Sequence, residues 1–282
     1  MKHIGSLLSA KIQQIARSQK DRPEYPEESS KDYNCITCED RGIIVEGDFA
    51  KPCACMRQKA LLRRFKNALV SREMLQHSLD KFQLRYYTQD KVDGITGLSF
   101  RDLANQALAA ARNFVREALD NVHGDGLLYT GPVGCGKTFL ASSIANALME
   151  GGREVLFIVV PDLLDEIKAT YDQNRTSGDV TEHHLMEMAR TVEILILDDL
   201  GAHNYTDWAR NRLYSIINYR LNHHRRTVVT TNLSPQELED YIGERTTSRL
   251  VQMCQIRRLA VATDIRYRKH DEKQRMRKDK DI

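Results

Sequence analysis

No stretch of this 282-residue chain approaches the roughly 20 consecutive apolar residues that a membrane-spanning helix needs, so a span of that kind is excluded. The opening residues, Met1-Lys-His-Ile-Gly-Ser-Leu-Leu, lack the apolar core and small-residue cleavage site of a secretory leader. The expectation is a cytoplasmic protein with no membrane partner. Strong net charge is also missing: the formal balance is +3, which gives no global pull toward nucleic acid. No internal repeat is visible. Cysteine is scarce, six in all, and a disulfide framework is not expected in this compartment.

What is present suffices for one large core and a small accessory unit, since 41% of the residues are hydrophobic. Basic residues are placed unevenly: from Arg266 to Ile282 there are eight Lys/Arg against four Asp/Glu. By itself such a run reads as a solvated tail.

The most informative segment is Gly131-Pro132-Val133-Gly134-Cys135-Gly136-Lys137-Thr138, which fits G-x-x-x-x-G-K-[ST]. Glycines at this spacing let the backbone wrap an anion, with successive N–H groups and a helix N-terminus pointing at it. Lys137 can reach the β- and γ-phosphates, and Thr138 can ligate Mg²⁺. Gly126-Leu-Leu-Tyr-Thr130 reads as a buried strand running into the loop, and Phe139 to Met149 as the helix leaving it. The nucleotide-binding set is therefore Gly131, Val133, Gly134, Cys135, Gly136, Lys137, Thr138 and Phe139, and the ligand is ATP or ADP with Mg²⁺.

Downstream, Val192-Glu-Ile-Leu-Ile-Leu197-Asp198-Asp199 is an apolar run ending in two carboxylates. A continuous apolar run suits a strand covered on both faces, and acids at its C-terminal end fall where open parallel sheets bind ligands. Asp198 takes the Mg²⁺ shell, and Asp199 polarises the attacking water. A third strand, Arg226-Thr-Val-Val-Thr-Thr231-Asn232, ends in polar residues, and Asn232 can sense the γ-phosphate or orient water. It precedes Leu233-Ser234-Pro235, a helix start with Ser as cap and Pro at the first position.

Four cysteines form two close pairs, Cys35-x-x-Cys38 and Cys53-x-Cys55, around Ile43-Ile-Val45 and a turn at Gly47. That reads as a small β-ribbon with four thiolates suited to tetrahedral Zn²⁺. Cys135 and Cys254 are not obvious ligands. His183-His184 and His223-His224 read as helix-surface residues.

Residues 1–34 read as one helix, Ile4 to Gln19, and a linker. Residues 35–58 are the zinc ribbon. Residues 59–98 are a helical linker that continues a helix begun at Met56 and running to Ser78, then an irregular lead-in with Phe82 and Tyr87. Residues 99–268 are the nucleotide-binding domain, and residues 269–282 a basic tail. Within the large domain the elements are a helix from Ser99 to Asn121, the strand Glu154 to Val160, a helix from Pro161, a helix ending at Arg190, a helix from Asp207 to Asn222 and a strand from Leu259 to Ala262. Alternating elements with short loops imply a parallel, doubly wound α/β sheet. After Asn232, Gly243-Glu-Arg245-Thr-Thr-Ser-Arg249-Leu250 places arginines on a short helix, where one can reach a neighbouring subunit's phosphate. Asp264-Ile-Arg266-Tyr-Arg268 offers another arginine to the nucleotide within the same chain.

The set Gly-Pro-Val-Gly-Cys-Gly-Lys-Thr, Leu-Ile-Leu-Asp-Asp-Leu-Gly, Trp208…Leu213-Tyr214…Ile217-Asn218-Tyr219-Arg220, Thr-Thr-Asn-Leu-Ser and Gly-Glu-Arg…Ser-Arg-Leu resembles the AAA+ ATPases of the DnaC/DnaI bacterial replicative-helicase loaders. It is similar also to the IstB-type transposition helpers. The similarity runs over about residues 80–268, and the cysteine ribbon ahead of it favours the loaders. The resemblance implies an AAA+ P-loop ATPase with a parallel sheet flanked by helices, preceded by a zinc ribbon. It implies that Asn232 is sensor I, that Arg249 is the arginine finger with Arg245 as the alternative, and that Arg266 is sensor II with Arg268 as the alternative. It implies that Lys168 and Tyr171 grip single-stranded DNA, a cation and an aromatic placed to pair a phosphate and stack a base. Implied partners are a hexameric replicative helicase, single-stranded DNA and further copies of the chain. Asp199 stands where faster motors carry Glu, which suggests a slow switch. The rival readings are a transposition helper that recruits a transposase, a small-molecule P-loop kinase, and a nucleotide-gated adaptor whose hydrolysis is incidental.

Overall fold

The computed structural model of the protein describes residues 37–39, 41–46, 49–53, 56, 73–169, 182–202 and 205–278. The chain divides into two compact units, Met1–Met56 and Arg57–Ile282. The helix expected at Ile4–Gln19, and residues 57–72 of the helix expected from Met56 to Ser78, lie outside the described residues.

In the first unit, β1 (Ile43–Glu46) and β2 (Phe49–Pro52) form an antiparallel hairpin in which Ile43 faces Pro52 and Glu46 faces Phe49. Cys38 and Cys53 are both buried. The Gly42 N–H donates to Cys38 Sγ at 3.3 Å, and Cys53 N–H donates to the Gly42 carbonyl at 2.9 Å. Cys35 and Cys55 lie outside the described residues, and among the described residues no cluster of three or more His, Cys, Asp or Glu forms a metal site.

The second unit is built on a parallel sheet. Its elements are α1 (Phe100–Asp120), β3 (Gly126–Thr130), α2 (Lys137–Glu150), β4 (Val155–Val159), α3 (Val160–Ala169), α4 (Glu182–Thr191), β5 (Ile194–Leu200), α5 (Asp207–Asn222), β6 (Thr227–Thr231), α6 (Pro235–Ile242), α7 (Glu244–Met253), β7 (Cys254–Arg258) and α8 (Ile265–Lys278). Caps fix several helix starts. The Ser99 hydroxyl accepts from Asp102 N at α1, Thr206 caps α5, and Ser234 with Glu237 makes a reciprocal capping box at α6 with Pro235 in its first turn. The strand order is β4-β5-β6-β3-β7, and every pairing is parallel. The chain leaves β3 for the far edge and returns strand by strand, so the strand feeding the phosphate loop is central.

Both faces of the sheet are covered. Leu128, Leu156, Ile158, Leu195, Leu197 and Val229 point into a core closed by α3 to α7. Their neighbours Leu127, Tyr129, Val155, Phe157, Ile196 and Val228 point into a second core closed by α1 and α2. Alternation on strands that are apolar on both sides is why the sequence shows continuous runs rather than an every-other pattern.

Two expected boundaries are corrected. The last strand is Cys254–Arg258, not Leu259–Ala262. The backbone after Arg258 instead passes beside the phosphate loop, where Leu259 N–H still donates to Thr130 O at 2.8 Å. An exposed edge strand shows weak apolar patterning, and Leu259 and Ala260 are apolar because they are buried next to the loop. The end of the expected Met56–Ser78 helix is a 3-10 turn at Met74–Gln76, held to α2 by Asn146, whose Nδ2 donates to the Met74 and His77 carbonyls at 2.8 Å.

Candidate functional site

The loop between β3 and α2 makes the cradle. Gly134 and Gly136 have φ of 72° and 95°, a left-handed backbone that glycine adopts without steric penalty. A side chain at Gly134 would also run into the Asp264 carboxylate, and one at Gly136 into the Tyr87 hydroxyl. Cys135 is fully buried, and its carbonyl accepts from Tyr87 Oη at 2.7 Å, so the lead-in segment braces the loop from behind. Val133 is exposed. Phe139 is half-buried, with its ring centroid 4.3 Å from that of His77 and the Lys269 ammonium 5.6 Å from its own.

Lys137 is buried. Its ammonium donates to the Gly131 carbonyl at 2.8 Å, the Pro132 carbonyl at 2.9 Å and Asn232 Oδ1 at 2.7 Å. The Asn232 amide donates in turn to Asp199 Oδ1 at 3.0 Å. Thr138, in the first turn of α2, donates its hydroxyl to the Asp198 carboxylate at 3.0 and 3.1 Å. The residues read from three separated motifs therefore meet at the C-terminal ends of β3, β5 and β6, where ligands bind in open parallel sheets.

Asp198 is 4% exposed. Burial raises its pKa, the Asp199 charge adds to the rise, and hydrogen bonds from Thr230 and Thr138 oppose it. A buried carboxylate beside a threonine hydroxyl is an all-oxygen donor pair suited to a hard divalent cation. The donor set thus fits magnesium, and the glycine-lined loop with its lysine fits phosphate.

The arginines separate. Arg266 is bound by Asp264, with Nη2 to Oδ2 at 2.9 Å and the backbone N–H to Oδ1 at 2.8 Å. Asp264 holds the Arg266 pKa above its ordinary value. Ile265 N–H donates to Gly134 O at 3.1 Å, fastening the start of α8 to the loop. Arg268 faces elsewhere: Nη1 donates to the Tyr86 carbonyl at 3.0 Å. Arg249 lies on α7, with Nε donating to Asn218 Oδ1 at 2.7 Å and Nη1 to the Arg245 carbonyl at 2.9 Å. Its guanidinium carbon lies 4.7 Å from the centre of the Tyr214 ring. Lys168 is exposed near the end of α3, 3.8 Å from Asp165. Tyr171 lies outside the described residues.

Two residues were given no role of their own in the sequence reading. Thr230 Oγ1 donates to Asp198 Oδ1 at 2.6 Å and accepts from Asp199 N at 3.0 Å. The available signal was its position two residues before Asn232 on one strand. Arg220 is fully buried and donates to Thr227 Oγ1 and to the carbonyls of Ala189, Arg190, Val192, Glu193 and Arg226. Its signal was its place in the buried stripe Leu213, Ile216, Ile217, Arg220, at helical spacing.

A family model described as "IstB-like ATP binding protein" matches residues 69–274. The replicative helicase loader DnaI of Bacillus subtilis is 26% identical over 236 residues, covering 80% of this chain and 72% of DnaI. The replicative helicase loader DnaC of Escherichia coli is 30% identical over 144 residues, 51% of this chain and 56% of DnaC. The DnaC of Buchnera aphidicola is 27% identical over 149 residues and is matched over 58% of its length, so the chain spans little more than half of these DnaC relatives. Among solved structures, the DnaC helicase loader aligns with a TM-score of 0.53 at 26% identity, over 67% of this chain and 99% of that one. DnaI aligns with a TM-score of 0.51 at 25% identity, over 69% and 93%. The chain belongs to the family of IstB-like ATP binding proteins, with the DnaC and DnaI helicase loaders among its relatives.

Proposed function

We propose that this protein is an ATPase that loads a replicative DNA helicase onto single-stranded DNA. The observation that carries the ATPase half is the convergence of Lys137, Thr138, Asp198, Asp199 and Asn232 in one hydrogen-bonded group. The names of the relatives support the loader half. Lys137 and the loop N–H groups hold the β- and γ-phosphates. Thr138 and Asp198 hold Mg²⁺, which when bound neutralises phosphate charge. Asp199 accepts a proton from, or orients, the attacking water, and Asn232 fixes its position. Arg266 contacts the nucleotide in cis. Arg249 acts on a neighbouring protomer's nucleotide, so ATP drives self-association. Lys168 and Tyr171 grip the single strand.

The domain reading follows the same plan: residues 1–34 a helix and linker, 35–58 a zinc ribbon, 59–98 a linker, 99–268 the ATPase and 269–282 a basic tail. Support for zinc comes from burial of Cys38 and Cys53 in one hairpin unit and from the backbone N–H that donates to Cys38 Sγ. Cys35 and Cys55 complete the site.

The decisive experiment is affinity capture from native lysate with ATP and with ADP, followed by a helicase-loading assay on circular single-stranded DNA. Nucleotide-dependent recovery of a hexameric helicase is the expected result. Recovery of a transposase instead establishes the second reading, a transposition helper, which the motifs shared with IstB-type proteins motivate.

A further inference from the structure

The strand that carries the two acids slips against its neighbour at one place. Leu197 pairs with Val229, but Leu200 pairs with Thr231, so Asp198 and Asp199 together stand opposite the single residue Thr230. One extra residue on one strand is a β-bulge, a device that re-aims side chains beside sites. The need for it here is geometric. Consecutive side chains of a regular strand point to opposite faces, so adjacent acids cannot otherwise serve one site. In this chain both do: Asp198 receives the Thr138 hydroxyl, and Asp199 receives the Asn232 amide.

The bulge has a strained member. Asp199 has φ of 59°, a left-handed conformation that a non-glycine residue keeps only where its surroundings impose it. The Thr230 side chain does so. It is 1% exposed. Its Oγ1 accepts the Asp199 backbone N–H at 3.0 Å and donates to Asp198 Oδ1 at 2.6 Å. The roles are fixed, because a backbone N–H can only donate, and a hydroxyl carries one proton with lone pairs to spare. One hydroxyl thus ties the side chain of the first acid to the backbone of the second.

We infer that Thr230 is a positioning residue of the nucleotide site, the pin that closes the Asp198–Asp199 bulge and keeps both carboxylates on the phosphate side of the sheet. Thr230 holds Asp198 Oδ1, and the Thr138 hydroxyl lies against both carboxylate oxygens, 3.0 Å from Oδ1 and 3.1 Å from Oδ2. The inference rests on the ATPase reading above and deepens it.

The test compares Thr230→Val, which keeps the shape and removes the hydroxyl, with Thr230→Ser, which keeps the hydroxyl. Binding of a fluorescent ADP analogue without Mg²⁺ should be unchanged in both, because the lysine and the loop are untouched. In Thr230→Val the ATP turnover number should fall by about 10- to 100-fold, the range seen when a residue that orients a ligand is lost. The Mg²⁺ concentration needed to tighten nucleotide binding should rise, and Thr230→Ser should restore both. A folded Thr230→Val with wild-type turnover overturns the inference, as does a Thr230→Ser no better than Val. If Thr230→Val does not fold, a crystal structure of the wild-type chain decides. Thr230 Oγ1 beyond hydrogen-bond distance of Asp199 N, or Asp199 away from the left-handed region, overturns the pin, and the reverse supports it. A wild-type chain that binds no ATP defeats the ATPase reading itself, and the same crystallographic criterion then judges the bulge.

Discussion

The Lys137 ammonium donates to Asn232 Oδ1 at 2.7 Å, joining residues 95 positions apart. Through the Asn232 amide the contact continues to Asp199. The lysine of the phosphate loop and Asp199 therefore share one intermediary. In the function proposed above, this is the contact through which Asn232 senses the nucleotide.

Lys137→Ala should abolish nucleotide binding. A hydrogen bond to a charged group contributes about 1.5–3 kcal/mol, or roughly tenfold to a hundredfold in affinity per contact. Asn232→Ala should instead leave binding intact and reduce turnover. Titration with a fluorescent nucleotide measures both, and wild-type affinity in Lys137→Ala refutes the cradle.

Arg249→Ala should keep ATP binding but lose hydrolysis and ATP-dependent assembly. Its guanidinium is held by Asn218 over the Tyr214 ring, on α5 and not on its own phosphate loop, as a group acting across a subunit boundary requires. Mixing Arg249→Ala with Asp199→Asn should restore part of the activity, since one interface then unites an intact finger with an intact acid. If no mixture recovers activity while Arg245→Ala alone reproduces the defect, the finger is Arg245.

Metal analysis should find one Zn²⁺ per chain, lost in a Cys35/Cys38 double variant. Chelation should unfold the ribbon and spare ATP binding, because binding free energy at a structural zinc is folding free energy of its own unit and the two units are separate. Zinc persisting in the double variant moves the site elsewhere.

Arg220→Leu should destabilise the second unit by at least about 1–3 kcal/mol, the cost of leaving one buried polar group without its hydrogen-bond partner. Five backbone carbonyls lose their donor at once. Chemical denaturation reads the loss. A midpoint unchanged from wild type shows that water replaces the guanidinium and that the buried contacts contribute little.

Much of this was legible in the sequence. The loop Gly131–Thr138, the acids ending β5 and the polar tip of β6 announce themselves because a phosphate cradle and a buried parallel strand both demand contiguous residues of fixed type. The helix start at Ser234 was legible for the same reason, since a cap acts on N–H groups two or three residues away. The last strand was misplaced at Leu259–Ala262 because β7 is an edge, where exposure weakens the apolar signal that marks a covered strand.

The sequence by itself determined the class of the sheet, the phosphate-loop motif and the pair of acids at the end of β5. Only the tertiary structure decided where the two arginines go, since Arg266 and Arg268 sit two residues apart on α8 and helical rotation sends one to Asp264 and the other to Tyr86. It alone decided that Asp198 and Asp199 share a face. A bulge is a property of the register between two strands, fixed by Thr230 on β6 and the left-handed turn at Asp199, and neither strand encodes it without the other.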